Sequence, residues 1–488
     1  MCTQHVLTYY AEGFPRASRV LRVHFTQPRD ASQTGCPSMS FGLFIIYILF
    51  TYLRPFETIA PDLAPYRPML ILWALAFVTA GARAIVRHEI AARPVHFGLL
   101  GMLIVCIGLS QVANQWVGGA LPAIADFSTA AMLMVLCLLN LTSLRRLQVT
   151  CVVITCSVIV LAALGSLSFH TGFMADELVL RQNTSDDEED DVDKYSETHE
   201  YVAPADDTSG RYLLRVRSLG FLADPNDFAQ TMVMVLPMLW WFYAAGRPLR
   251  NLLVVVAPGA LLGYTIYLTQ SRGALLGIAG LGLLVAQRTL GWAKTAVLAA
   301  VVVGAAGIVS FGGRELSTKE QSAAKRVEAW QEGITMLRSK PVLGVGYGNF
   351  TDHHYLTAHN SFVLCFAELG LVGYFAWLGL LVLTYKGIPQ AVRLAPPDTP
   401  EKNLAMVLQA SLVAFLACSW ILSRTYSPGL FVLLALCVAG WFGVRHLHGP
   451  PPQAVLEEPL AWRLSTLVAM VVSILGVYAF VLFQRGQV

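Results

Sequence analysis

The chain has 488 residues, is 55% hydrophobic and only 13% charged, and carries a net charge of +3, where a soluble domain has roughly 25% charged residues. These proportions exclude a soluble globular protein and require one that buries itself in lipid. The small, scattered positive charge forms no basic tract interleaved with aromatics, which excludes nucleic acid as a partner.

Residues 1–38 hold several arginines and prolines and no apolar core, so they are not a cleavable signal peptide. They read as a basic extension, disordered or untranslated, with Met39 as an alternative start directly before the first span. Beyond it, runs long enough to cross a hydrocarbon core of about 30 Å, roughly 20 residues each, fall near 40–53, 69–86, 96–113, 123–142, 150–168, 227–245, 252–270, 274–291, 295–312, 361–385, 403–422, 429–444 and 463–484. The expected fold is an all-α polytopic membrane protein of about 12–13 transmembrane helices. Its parts are N-terminal helices over 39–168, an outer loop over 169–226, central helices over 227–312, a large outer loop over 313–360 and C-terminal helices over 361–488.

Lys and Arg gather on alternate connections, as at Arg83, Arg145 and Arg146, Arg247 and Arg250, Lys386 and Arg393, and Arg445. The positive-inside rule makes those connections cytoplasmic. Loops 54–68, 114–122, 169–226, 271–273, 313–360 and 423–428 then face the other side. Within 169–226, seven of the eight residues 186–193 are acidic. That run reads as a solvated, disordered tip or, alternatively, as a cation site, although it lacks the fixed geometry of a Ca²⁺ cage. Of the nine cysteines, all but Cys2 and Cys36 fall inside apolar spans, with no spacing typical of a disulfide framework or a metal site.

Four arginines stand on the outer side against the charge bias. Arg215 and Arg217 precede the stretch Gly220-Phe221-Leu222-Ala223-Asp224-Pro225-Asn226, Arg272 sits in the tight turn Gln270-Ser271-Arg272-Gly273, and Arg326 lies in the loop before His359. An arginine fixed at an interhelical turn usually has an anionic partner, and its planar fork suits phosphate. The competing reading is a snorkelling anchor to lipid headgroups. Residues 318–338 predict an amphipathic helix lying on the membrane surface, with Val327, Trp330, Ile334 and Leu337 on one face, Glu328, Glu332 and Arg338 on the other, and Pro341 ending it.

Gly344, Gly346 and Gly348 let the backbone turn closely; the strand and helix that a nucleotide loop requires are missing around them. His353, His354 and His359 lie within seven residues, yet no carboxylate or cysteine completes a convincing zinc set. His359 reads either as a structural interface residue or as a general base, since an unperturbed imidazole titrates near pH 6.5. Asn360 can cap the following span or hold the histidine. Glu368 stands about two turns inside that span and reads as structural.

The order Arg217, Gly220 to Asn226, Ser271-Arg272-Gly273, Arg326, Trp330, Gly344 to Phe350, His359-Asn360-Ser361 and Glu368-Leu369-Gly370 resembles the central signature of the O-antigen ligase and polymerase family of bacterial membrane glycosyltransferases. The likeness covers about 217–385, and Arg54-Pro55-Phe56-Glu57 is also similar. It implies a bundle of about twelve helices in the bacterial inner membrane, with a large periplasmic loop. It further implies transfer or polymerisation of glycan from an undecaprenyl-diphosphate carrier to a glycan or lipid A-core acceptor, without metal, cofactor or nucleotide sugar. Carried over, Arg217 and Arg272 hold the diphosphate and His359 activates the acceptor hydroxyl, while Arg215, Arg326, Arg338, Asn360, Asp224 and Asn226 are expected to bind substrate. Protein O-oligosaccharyltransferases and members described as bicarbonate transporters share the signature and stand as alternatives.

Overall fold

The computed structural model describes residues 39–86, 94–183, 203–207, 212–291, 293–295, 310–311, 314–315, 321–448 and 459–485. The extension 1–38, the acidic run 186–193 and most of the expected span 295–312 lie outside the described residues.

The molecule is a polytopic helical bundle, as expected. After the short apolar helix α1 (Met39–Leu53) come α2 (Pro68–Val86), α3 (Pro94–Ala113), α4 (Ala120–Asn140) and α5 (Leu144–Thr171). A two-stranded antiparallel ribbon, β1 (Val179–Asn183) and β2 (Tyr212–Val216), closes the base of the acidic insertion with Val179 opposite Val216. Next follow the 16-residue α6 (Pro225–Trp240), α7 (Ala257–Thr269), which continues the segment from Pro248, and α8 (Arg272–Leu290). The last third holds α9 (Gln321–Ser339), α10 (Ser361–Leu394), α11 (Pro400–Ser419), α12 (Pro428–His448) and α13 (Pro459–Arg485). Among the described residues, ten segments are long and apolar enough to cross a membrane. α10 and α12 form the buried centre, while α2, α8 and α13 lie at the edge and present side chains such as Val78, Val471 and Phe483 outward, as lipid-facing helices do.

The six connections assigned to one side meet at one end of the bundle. Arg54 lies against Gly220, Asn114 bonds the Gly344 carbonyl at 2.9 Å, Ser271 bonds Asn226 at 2.9 Å, and Thr357 bonds Ser423 at 3.0 Å.

α10 is discontinuous. Gly370 has φ 62° and ψ −166° inside it, a region open essentially to glycine alone. The backbone groups freed by the break are taken by the glycine-rich loop. Leu371 N donates to Pro341 O (2.8 Å) and Val372 N to Val342 O (3.2 Å), while Ala367 O and Glu368 O accept from Val345 N and Gly346 N, each at 3.0 Å. The halves fold against each other. Ser361 O accepts from the Thr425 hydroxyl at 2.7 Å, and Trp377 Nε1 donates to Thr425 O at 2.9 Å, although sixteen residues of straight helix span about 24 Å. Glu368, expected two turns inside a continuous span, instead sits at the crest of this fold-back among the outer loops.

α9 begins and ends close to its expected bounds, and Pro341 follows it. Its apolar stripe faces protein rather than lipid. Trp330 packs near Trp420 and Phe480, with ring centroids 6.3 and 5.3 Å away, and Gly333 abuts Val363. The helix is thereby seated on α10 and α13 over the mouth of the bundle.

Candidate active site

His359 ends the glycine-rich loop with φ 47°, a left-handed state uncommon for a non-glycine residue that costs of order 1–3 kcal/mol. Asn360 holds the bend: its Oδ1 caps α10 by accepting from Phe362 N (2.9 Å) and Val363 N (3.2 Å). His359 is half-buried, and burial together with the positive charges of Arg326 and Arg424 pushes its pKa down to about 4, against a smaller opposing pull from Asp224. At neutral pH the imidazole is therefore uncharged and able to accept a proton.

Arg326, Arg424 and Asp224 thus lie near enough to the histidine to act on its charge. Arg424 comes from the loop between α11 and α12 and pairs with Asp224 at 3.0 Å and with Asp227 in the first turn of α6. Its loop is fixed to the start of α10, because Ser361 Oγ accepts from Arg424 N (2.8 Å) and donates to Leu422 O (2.6 Å). Asp224 also caps α6, accepting from Asn226 N at 2.6 Å.

A second cluster ties the turn before α8 to the loop before α6. Asn226 Oδ1 accepts from Arg215 Nη2 (3.0 Å) and from Ser271 Oγ (2.9 Å), and Arg215 Nε donates to Thr269 O at the end of α7 (2.9 Å). Arg215 is 6% exposed, so its guanidinium serves as a helix cap and brace. Arg272 follows Ser271 as the first residue of α8, where the helix dipole adds to its charge. Arg217 is half-buried, with Nε and Nη2 donating to the carbonyls of Glu177 (2.9 Å) and Asp176 (2.7 Å). Arg338 lies elsewhere, its guanidinium 5.2 Å from the Tyr478 ring of α13. His353 and His354 each meet a backbone carbonyl, of Asn349 and Leu356, instead of converging.

Beside this charged group lies a cavity of about 350 Å³ bordered by Asp126, Phe221, Asp227, Tyr347, Arg424 and Tyr426. Tyr347 donates to Asp126 Oδ2 at 2.6 Å. Burial and the Asp126 carboxylate raise the phenol's pKa, so it stays protonated. Asp126, Tyr347, Arg424 and Tyr426 escaped the sequence reading. Arg424 obeys the rule that singled out Arg272, an arginine in a short outer connection, whereas Asp126 and the tyrosines carry no such signal.

The architecture is that of a multi-pass membrane protein with one polar site assembled from loops at a single end of its bundle. Residues 257–378, from α7 to the upper part of α10, match the family model for O-antigen ligase, so the family resemblance read from the motifs is shown over the segment carrying Arg272, Arg326, His359 and Glu368. No curated protein matches the chain. The domain supports a membrane glycan ligase or polymerase, a glycosyltransferase-type enzyme with glycan and lipid partners.

Proposed function

We propose that the protein moves or polymerises a surface polysaccharide from an undecaprenyl-diphosphate carrier at the periplasmic face of the inner membrane. The observation that carries this reading is a half-buried His359 at the start of α10, kept uncharged at neutral pH by burial and by the charges of Arg326 and Arg424. The hydroxyl oxygen of the acceptor attacks the anomeric carbon of the carrier-linked sugar from the face opposite the diphosphate. As that bond forms, the hydroxyl proton passes to the His359 imidazole, the carbon–oxygen bond to the diphosphate breaks with inversion, and undecaprenyl diphosphate leaves with the electron pair. Arg272 and Arg217 hold the diphosphate and stabilise its growing charge, a contribution often worth about 2.7–4 kcal/mol per donor group. Arg326 adds to that field. Arg215, Asn226, Asp224 and Asn360 position these groups through the bonds described above. No metal, cofactor or nucleotide sugar enters the scheme.

The discontinuity of α10 favours a second reading, transport, because transporters place ion sites at broken helices near the midplane. Against it, the Ala367 and Glu368 carbonyls and the Leu371 and Val372 amides at the break are already bonded to residues 341–346. The deciding experiment deletes the gene and examines surface glycan and bicarbonate uptake together. Loss or shortening of the polysaccharide is expected. An unchanged ladder with lost uptake would overturn the enzyme reading. A ligase mutant would keep long carrier-linked chains, and a polymerase mutant would accumulate single repeat units.

A further inference from the structure

The transfer chemistry leaves one buried group unused. Glu368, at the crest of the α10 fold-back, is 2% exposed. Its Oε1 accepts from Phe350 N at 3.4 Å, while Oε2 faces the Tyr426 hydroxyl and neither of those two atoms completes a well-formed hydrogen bond. A buried carboxylate oxygen left unsatisfied is costly, and this one borders a cavity of about 280 Å³. That cavity joins the larger one, and the two share Asp126, Tyr347, Ser423, Arg424 and Tyr426. His359, Arg272 and Arg217 border neither.

The walls are chemically uneven. Asp126, Asp227 and Glu368 supply three carboxyl groups beside the single guanidinium of Arg424, a lining rich in acceptors for hydroxyl donors. The rings of Tyr347 and Tyr426, centroids 4.6 Å apart, add broad surfaces that are apolar on their faces and polar at their tips. Hydroxyl acceptors beside aromatic faces are what a sugar ring requires, since it donates hydroxyls around its rim and presents C–H groups on its faces. The volumes, about 350 and 280 Å³, lie at and just below the lower limit of the range of about 300–1,000 Å³ for small-molecule sites, which suits a sugar ring or two.

We propose that these joined cavities are the acceptor-sugar subsite, in which Glu368 Oε2 and Asp126 accept hydroxyls of the acceptor glycan while Tyr347 and Tyr426 flank its ring. The proposal rests on the glycosyl-transfer reading. It divides the polar end into a cationic side for the carrier's diphosphate and an acidic, aromatic side for the acceptor, with Arg424 between them and beside His359.

The test uses the full chain, purified in detergent, with saturating undecaprenyl-diphosphate-linked glycan. Lipid A-core oligosaccharide and a carrier-linked single repeat unit are titrated separately as acceptors. Glu368→Gln and Asp126→Asn should each raise the acceptor KM about tenfold, the loss of one charge-assisted hydrogen bond, with the donor KM unmoved. Asp126 lies on an exposed wall, so its variant carries the test if Glu368→Gln does not accumulate. An unchanged acceptor KM in properly folded variants overturns the subsite while leaving glycosyl transfer standing, and so does a shift confined to the donor KM. Failure of the wild type to transfer to either acceptor removes the glycosyl-transfer reading and the subsite with it.

Discussion

Phe362 and Trp377 stand ring to ring, their centroids 5.4 Å apart, although fifteen residues separate them within one helix. Only the reversal at Gly370 permits this. A methyl group there would stand 2.4 Å from the carbonyl carbon and oxygen of Val342 and would force a side chain into a glycine-only backbone state. Gly370→Ala is expected to cost about 3 kcal/mol or more from strain and overpacking together. Thermal unfolding in detergent should show a lowered midpoint, and a wild-type curve would refute the account of the break.

The pH dependence of transfer follows from the field around His359. Because its pKa lies near 4 in the free enzyme, below the ordinary value, the imidazole is already deprotonated at pH 6 to 8. The kcat/KM for donor, which reports the free enzyme, should therefore stay flat over that range and fall only in more acid solution. A bound diphosphate offsets the charge of Arg326 and Arg424, so the acid limb of kcat at saturating donor should move to higher pH. An acid limb near pH 6.5 in kcat/KM would contradict the electrostatic picture.

Arg424 is paired with two carboxylates and adjoins the histidine, so removing its charge would leave Asp227 exposed to a buried, unpaired state costing about 3–5 kcal/mol. Arg424→Lys is the more informative change. It keeps the charge but loses the fork that spans Asp224 and Asp227, and transfer should drop by about 10² while the protein still accumulates. Full activity in this variant would relegate Arg424 to a spectator.

Arg215 and Arg217, two residues apart, should fail differently. Arg215→Ala strips Thr269 O of its guanidinium partner and leaves Asn226 Oδ1 to Ser271 alone, a loss of about 1–3 kcal/mol for a buried group left unsatisfied, and should chiefly reduce thermal stability. Arg217→Ala should chiefly raise the donor KM. Reversed phenotypes, with a stable but donor-blind Arg215 variant, would exchange their assigned roles.

The shared side of the two outer loops is open to chemical labelling. With the native cysteines replaced, Asp206→Cys and Thr351→Cys should both react with a membrane-impermeant thiol reagent applied from the periplasmic side. Protection of one but not the other would dismantle the common site.

Hydropathy made the spans legible because each is a long apolar run, and alternating Lys and Arg clusters predicted which loops would meet. The cap at Asn360 and the end of α9 at Pro341 were equally readable, since both depend on local backbone chemistry. The break at Gly370 was not, because one glycine hardly alters the hydropathy of a 34-residue helix, and the partners that stabilise it come from residues 341–346. Glu368 was misplaced for the same reason. Depth along a straight helix differs from depth along one that reverses at Gly370. Arg215 and Arg217 looked alike in sequence, and only the positions of Thr269, Asn226 and the turn before β1 separate them.

Asp126, Asp224, Arg326, His359 and Arg424 enter the membrane in that order during synthesis, and the last lies beyond α11. A nascent or prematurely ended chain that stops short of the α11–α12 loop has no counter-charge for Asp227 and no anchor for the start of α10, whose Ser361 depends on Leu422 and Arg424. Such a chain can insert with its site still incomplete, and completion of the site is thereby coupled to completion of the polypeptide.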